Sequence, residues 1–155
     1  MSVIIHTLHA VLAGVWLGGV IFTMAVVSPA LKAMKWSEAE RVLVRSKIGK
    51  HYARVGSANL ALLALFAVLD GLATGFDVAS YVEYALLVVL FGLVAAHGAY
   101  FGRKLRELAE AEKRVGGEEA HAFAEKRRNL QRLSLWVSWA DIPISVMITV
   151  LAVNA

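Results

Sequence analysis

The chain has no cysteine, and basic residues are missing from most of its length. Without thiols it can form no disulfide, thiolate metal site, iron–sulfur cluster or Cys nucleophile. All 16 Lys and Arg residues lie in two segments, 32–54 and 103–132. Soluble-enzyme motifs are also missing: there is no phosphate loop, no G-x-S-x-G and no H-E-x-x-H. With 59% hydrophobic and only 18% charged residues, these absences favour a membrane protein.

The gaps between the charged segments predict four membrane-spanning helices, because about 20 apolar residues suffice to cross a bilayer. Hydrocarbon offers no hydrogen-bond partners, so each span is expected to be helical. A chain of 155 residues predicts one domain. The predicted fold is therefore an all-α, four-helix transmembrane bundle, with spans at about 3–31, 51–75, 78–102 and 133–153.

The distribution of charge predicts how the bundle sits in the membrane. The two basic segments connect span one to two and span three to four, so they lie on the same side. The positive-inside rule then predicts cytoplasmic basic loops and both termini outside, in a plasma (inner) membrane. The asymmetry accounts for the net charge of +4 without nucleic acid, which we do not expect as a partner.

Both cytoplasmic connections are predicted to be helical. Ser37 and Glu40 form an S-x-x-E capping box, which indicates a short surface helix at the lipid interface. The residues at 103–115 continue span three with helix-forming residues, Gly116-Gly117 gives a turn, and 118–133 leads into span four. Helices three and four, of roughly 35 residues each, are thus expected to extend into the cytoplasm as a hairpin.

Ionisable side chains inside the spans indicate function by default, because they are costly in hydrocarbon. One group is expected near the outer side: His6, His9, Asp70 and Glu83. Helical spacing puts His6, His9 and Trp16 on one face. Two imidazoles and two carboxylates could bind a metal ion such as copper. The alternative is a set of interfacial residues in contact with water.

A second group is expected near the inner side and contains His51, His97 and Asp141. His97 lies in the sequence AAHGAY, where small residues leave space beside the ring. Two imidazoles on neighbouring antiparallel helices, here His97 and His51, would suit the axial ligation of a haem. The alternative is a neutral His97 that is hydrogen-bonded to Asp141 or to a serine.

Span four carries a row of polar residues three or four apart, with two tryptophans close by. Such a row can serve as interhelical contact, as a cofactor wall, or as a proton or ion path. We expect Trp136 and Trp139 to shield a haem ring. The polar row consists of Ser134, Ser138, Asp141, Ser145 and Thr149.

Six positions of the first span follow one pattern, namely Leu8, His9, Trp16, Gly18, Gly19 and Pro29. Through these residues the span resembles the CopD-like family of integral membrane proteins and, more distantly, the HemJ-like proteins, which contain b haem. The resemblance implies a four-helix membrane domain linked with copper handling or haem b, and it supports His9 as a ligand. After span one the sequence departs from the HemJ-like pattern, so their oxidation of protoporphyrinogen is not carried over.

The leading hypothesis is a haem-b-binding membrane protein that acts in electron transfer or redox handling, such as a membrane oxidoreductase. His97 is the first axial-ligand candidate, and His51 and His9 compete as its partner; Trp16 and Asp141 are further cofactor-binding candidates.

The first alternative is a copper-handling or copper-transport protein that uses the outer group, including His6. The second is a cofactor-free accessory subunit of a larger membrane complex, bound through small-residue faces. The row Ala10, Gly14 and Gly18 would allow such close packing, or packing in a homo-oligomer or within one bundle.

Overall fold

The computed structural model describes residues 2–154, with the side chains of Ser2, Glu38 and Ala39 left aside. Every described residue is helical except in three short connections, at 34–37, 75–77 and 115–116. The predicted all-α class is confirmed. Four helices are long and apolar enough to cross a membrane, Val3–Ala33, Glu40–Thr74, Val78–Arg114 and Gly117–Asn154.

Two of the four long helices contain a short π-helical segment. In the first, the Ser28 N–H donates to the Thr23 carbonyl, five residues back, and in the third the Gly102 N–H donates to the His97 carbonyl in the same way. The elements in chain order are α1 (Ser2–Phe22), a π segment (Thr23–Val27), α2 (Ser28–Ala33), α3 (Glu38–Thr74), α4 (Val78–Ala95), a π segment (Ala96–Phe101), α5 (Gly102–Arg114) and α6 (Gly117–Asn154).

The helices pack as an antiparallel bundle in which α1 contacts α3 and α6, and α4 contacts α6 and α3. The interior contains fully buried apolar residues from three of these helices, such as Leu60, Leu90 and Ile148. Large apolar side chains also cover the outer surface, for example Val88 and Leu72. An apolar exterior of this kind suits contact with lipid.

The two ends of the bundle differ in the connections between helices that they contain. One end, called the termini end, contains the 75–77 connection, the beginning of α1 and the end of α6. There Gly75 has a φ of +102°, which ends α3. Asp77 caps α4 by accepting hydrogen bonds from the N–H and hydroxyl of Ser80, both at 2.8 Å. The donated backbone N–H holds the pKa of the Asp77 carboxyl below its usual value.

The opposite end, with the 34–37 and 115–116 connections, is called the hairpin end. The capping box is confirmed: the Ser37 N–H donates to the Glu40 carboxylate at 2.8 Å, and the Glu40 N–H donates to the Ser37 hydroxyl at 3.3 Å. The prediction of a separate short surface helix was wrong. The box instead begins α3, which continues through 37 residues because no proline interrupts it.

The predicted hairpin of α5 and α6 is confirmed. The third and fourth long helices run 37 and 38 residues, and they meet at 115–116. Arg127 is buried between them, and its Nε donates to the Glu112 carboxylate at 2.8 Å. A charge-assisted hydrogen bond from a buried guanidinium fixes the pairing of the two helices outside the apolar spans.

We predict that Glu112→Ala lowers the free energy of unfolding by about 1–3 kcal/mol, because it removes a charged acceptor from a buried Arg. The measurement is thermal unfolding of the full chain in detergent, followed by circular dichroism. Glu110→Ala is the matched control, since Glu110 is exposed and lies 4.0 Å from Arg106. Equal losses of stability in the two variants would contradict the prediction.

Candidate functional site

At the termini end, four ionisable side chains from three helices come together; we call them the polar centre. Glu83 lies in α4, shortly after the connection that follows Asp70 in α3, so the two carboxylates reach the same depth. His6 and His9 come from α1, one turn apart. His9, Asp70 and Glu83 are 1–3% exposed, whereas one third of the His6 side chain is exposed. The four residues grouped by sequence therefore do meet in the structure.

His9 lies between the two buried carboxylates. Its Nε2 is 2.8 Å from Glu83 Oε1, and its Nδ1 is 3.4 Å from Asp70 Oδ2. His6 approaches the same Asp70 oxygen with its Nδ1, at 3.2 Å. Each ring nitrogen that carries a proton can donate to these oxygens, so a His9 ring protonated on both nitrogens donates to both carboxylates at once. The polar centre is one connected hydrogen-bond network.

One buried polar atom, Asp70 Oδ1, lies outside this hydrogen-bond network. Asp70 Oδ1 is buried and has no hydrogen-bond partner among the described residues. A buried acceptor without a donor costs about 1–3 kcal/mol. Two carboxylates with two neutral imidazoles carry a charge of −2. The charge is balanced when both imidazoles are protonated, when one imidazole and one carboxyl are protonated, or when both carboxyls are protonated. The proton content of the polar centre therefore sets its charge in a low-dielectric environment.

The donor chemistry of the polar centre suits copper, but its arrangement is that of a hydrogen-bond network. Imidazole and carboxylate are common ligands of transition metals. Among the described residues, however, no group of three or more His, Asp or Glu side chains is arranged to hold a metal ion. His9 already directs each ring nitrogen at a different carboxylate. A metal would have to displace these contacts, and copper handling stays a prediction.

His97 occupies a second polar position, in the π segment nearer the hairpin end. Its Nε2 lies 3.2 Å from the Ser134 hydroxyl and 3.3 Å from the Ser138 hydroxyl. Its Nδ1 is buried and has no partner among the described residues, and its ring lies 5.6 Å from that of Phe101. The contacts match the alternative of a histidine hydrogen-bonded to serine, whereas Asp141 is not its partner.

The other residues expected around a haem at His97 do not gather there. His51 is exposed on α3, and within the described part of the chain no hydrogen bond or ring contact joins it to His97. Trp136 and Trp139 are 75% and 61% exposed. At 100° per residue, Trp136 faces almost opposite to Ser134 on the helix. The expected tryptophan wall beside His97 is therefore not formed.

The polar row of span four is used mainly for contacts within the bundle. The buried Trp16 donates from Nε1 to the Ser145 hydroxyl at 3.0 Å, which ties α1 to α6. The Thr149 hydroxyl lies 2.8 Å from the Ser145 carbonyl and 3.4 Å from the Ala13 carbonyl. Asp141 differs, because its Oδ1 is buried without a partner in the described chain. Interhelical contact is thus what most of this row provides.

Sequence reasoning missed Tyr52, which lies in α3 against α1. Its ring packs beside Gly56, and a Cβ at Gly19 would collide with its hydroxyl. The Tyr52 hydroxyl thus lies directly against α1 at Gly19. The signal in the sequence was Gly19, which the resemblance included without giving it a role.

The small-residue row on α1 lies outside the bundle. Gly14 and Gly18 have open space where a side chain would be, and Ala10 is half-buried. The close approach between α1 and α3 runs instead through Gly19 and Tyr52. The row does not pack inside this bundle, and its use by a second copy stays a prediction.

The fold and the polar centre define a four-helix protein of the membrane with a buried histidine–carboxylate network. The chain belongs to a family described as a domain of unknown function, DUF4149, whose model matches residues 11–114. The matched region contains Asp70, Glu83 and His97, and begins just after His9. No curated protein and no solved structure matches the chain.

We predict that Ser145→Ala destabilises the protein by about 1 kcal/mol, because it leaves the Trp16 indole N–H without its acceptor in the bundle interior. Thermal unfolding in detergent measures the loss. The control is Ser57→Ala, since the Ser57 hydroxyl is exposed and donates to the Arg54 carbonyl of its own helix. A Ser145→Ala protein as stable as the control would show that this hydrogen bond adds nothing.

Proposed function

We propose that this chain is a proton-binding membrane protein, and that its working step is the uptake and release of protons at the polar centre. The observation that carries the proposal is the position of His9, almost fully buried with one ring nitrogen facing Asp70 and the other facing Glu83. Histidine and carboxylate chains inside membranes are the usual means by which pumps and transporters bind and relay protons.

The polar centre has the connections that proton exchange needs. His6 is partly exposed at the termini end, so its ring can exchange protons with water. Asp70 Oδ2 lies within hydrogen-bond reach of His6 Nδ1 and His9 Nδ1. A proton released by the His6 ring can thus bind the Asp70 carboxylate and pass to a neutral His9. Glu83 stabilises the resulting imidazolium from the other side.

The charge distribution supports an outward-facing position for the polar centre. All Lys and Arg residues lie in 32–54 and 103–132, at or toward the hairpin end. The positive-inside rule assigns that end to the cytoplasm. The termini end, with His6 at its surface, then exchanges protons with the outer aqueous phase.

Infrared difference spectra of the reconstituted full chain, recorded between acidic and alkaline buffer, test the proposal. We expect acidification of the wild type to change the bands of the two buried carboxyl groups, either because a carboxyl takes up a proton or because the His9 ring between them becomes an imidazolium. Asp70→Asn and Glu83→Gln should each remove one component, because each deletes one of the two buried carboxyls while keeping a hydrogen-bonding side chain. Glu107→Gln, at an exposed carboxylate, is the matched control and should leave these bands unchanged.

Two results would overturn the proposal. In the first, neither Asp70→Asn nor Glu83→Gln alters the buried carboxyl bands. In the second, the wild type binds Cu²⁺ at one ion per chain and His9→Ala abolishes this binding, which would assign the four residues to copper handling. Because metal binding expels protons from imidazoles, pH recorded during the Cu²⁺ titration distinguishes the two functions.

A second candidate function, haem b binding for electron transfer, is favoured by one observation at His97. Its Nδ1 is a buried imidazole nitrogen without a partner in the described chain, on a π segment. π segments are frequent at functional sites. The Nδ1 of His97 would bind the iron of a haem, and the iron would supply one-electron chemistry. The fit is incomplete, since His51 and the two tryptophans lie elsewhere.

If the second candidate holds, the purified protein has a Soret band with sharp reduced α and β bands. His97→Ala should abolish the Soret band, because it removes the axial nitrogen, and His121→Ala at the exposed hairpin should not. Absorption spectra before and after dithionite provide the measurement. A chain that stays colourless after addition of haemin would exclude haem and leave the proton proposal standing.

A further inference from the structure

A groove on the outer face of α6 is lined by one arginine and two tryptophans. Its volume is about 370 Å³, and its walls are Arg132, Leu135, Trp136 and Trp139. The two indoles are the most exposed aromatic side chains of this helix. Neither is needed for packing of the bundle, so the groove calls for a separate explanation.

The groove lies where α6 enters the membrane. From Leu133 to the end of α6 at Asn154 there are 22 residues, or about 33 Å of helix at 1.5 Å per residue. A hydrocarbon core is about 30 Å thick. Arg132 therefore lies at the level of lipid headgroups, and Trp136 and Trp139 lie about one and two turns deeper.

Along the helix, the side chains of the groove change from basic to apolar, in the same order as the headgroup and the acyl chains of a phospholipid. Arg128 lies one turn before Arg132, and both are exposed. Within the described residues Arg132 makes no ion pair, so its guanidinium is available to an external anion. Arginine presents a planar set of donors that matches phosphate. Beyond the arginines, Leu135 and the indole faces offer an apolar surface for acyl chains.

We propose that this groove binds an anionic glycerophospholipid. The headgroup phosphate contacts Arg132, with Arg128 adding positive charge, and the acyl chains lie against Leu135, Trp136 and Trp139. Charge complementarity selects an anionic lipid, because Arg132 is the charged residue among the four described residues that line the groove. Basic pockets at the cytoplasmic side of transmembrane helices bind anionic headgroups in this way. The inference does not depend on the proposed proton chemistry, which lies at the opposite end of the bundle.

Native mass spectrometry of the full chain in detergent, titrated with phosphatidylglycerol or with phosphatidylcholine, tests the proposal. For the wild type, we expect the first phosphatidylglycerol to bind at least about fivefold more tightly than phosphatidylcholine. Arg132→Gln should remove most of that preference. Trp136→Ala should weaken both lipids alike, because the apolar wall does not distinguish headgroups. Since these side chains are exposed, both variants should fold as the wild type does.

The control is Arg114→Gln, which removes the same charge at the tip of the hairpin, away from the groove. It should keep the preference for phosphatidylglycerol. Three outcomes would overturn the proposal: equal affinity of the wild type for both lipids, an unchanged preference in Arg132→Gln, or an equal loss in Arg114→Gln, which would mean attraction by overall charge. Displacement of the lipid by millimolar glycerol phosphate would assign the groove to a free phosphate instead.

Discussion

The structure depends on one constraint: a polar group inside a membrane bundle must find its partner on a neighbouring helix, because hydrocarbon offers none. Trp16 meets Ser145, and Asn59 meets the carbonyl of Leu12. His97 meets two serines of α6. Each contact links two helices, so the few polar side chains also decide which faces of the spans meet. The polar centre is the densest case, joining α1, α3 and α4 through His9.

That constraint also separates structural polar contacts from functional ones. At Ser145 the hydroxyl and its partner satisfy each other with uncharged groups. At the polar centre the groups are ionisable, and Asp70 Oδ1 has no donor among the residues that the structure describes. If the network served only to hold helices together, neutral side chains would have a lower free-energy cost of burial. The proposed change of protonation would explain why two carboxylates and two imidazoles are kept at this depth.

Much of this architecture was predictable because charge is expensive in hydrocarbon. The gaps between the basic segments gave the spans, and depth alone grouped Asp70 and Glu83 with the histidines of span one. The face on which Trp136 lies was also predictable, since Trp136 is about 200° from Ser134 on a helix. The expectation that the tryptophans shield a haem did not take this angle into account.

Other features could not be read from the sequence in the same way. A π segment adds one residue to a turn without a distinctive residue type, so neither Thr23–Val27 nor Ala96–Phe101 was expected. The continuity of α3 past the capping box was missed because its first turns are polar. The charge pattern there is equally consistent with a surface helix followed by a break, and only the packing of helices decides between the two.

The uninterrupted α3 has a mechanical consequence. It is one continuous helix of 37 residues, with Asp70 near one end and the capping box at the other. Such a helix is about 55 Å long. Unlike the first and third long helices, it contains no π turn that could absorb a rotation. As a stiff lever of this length, it converts a tilt of about one degree at the polar centre into a displacement of about 1 Å at the far end.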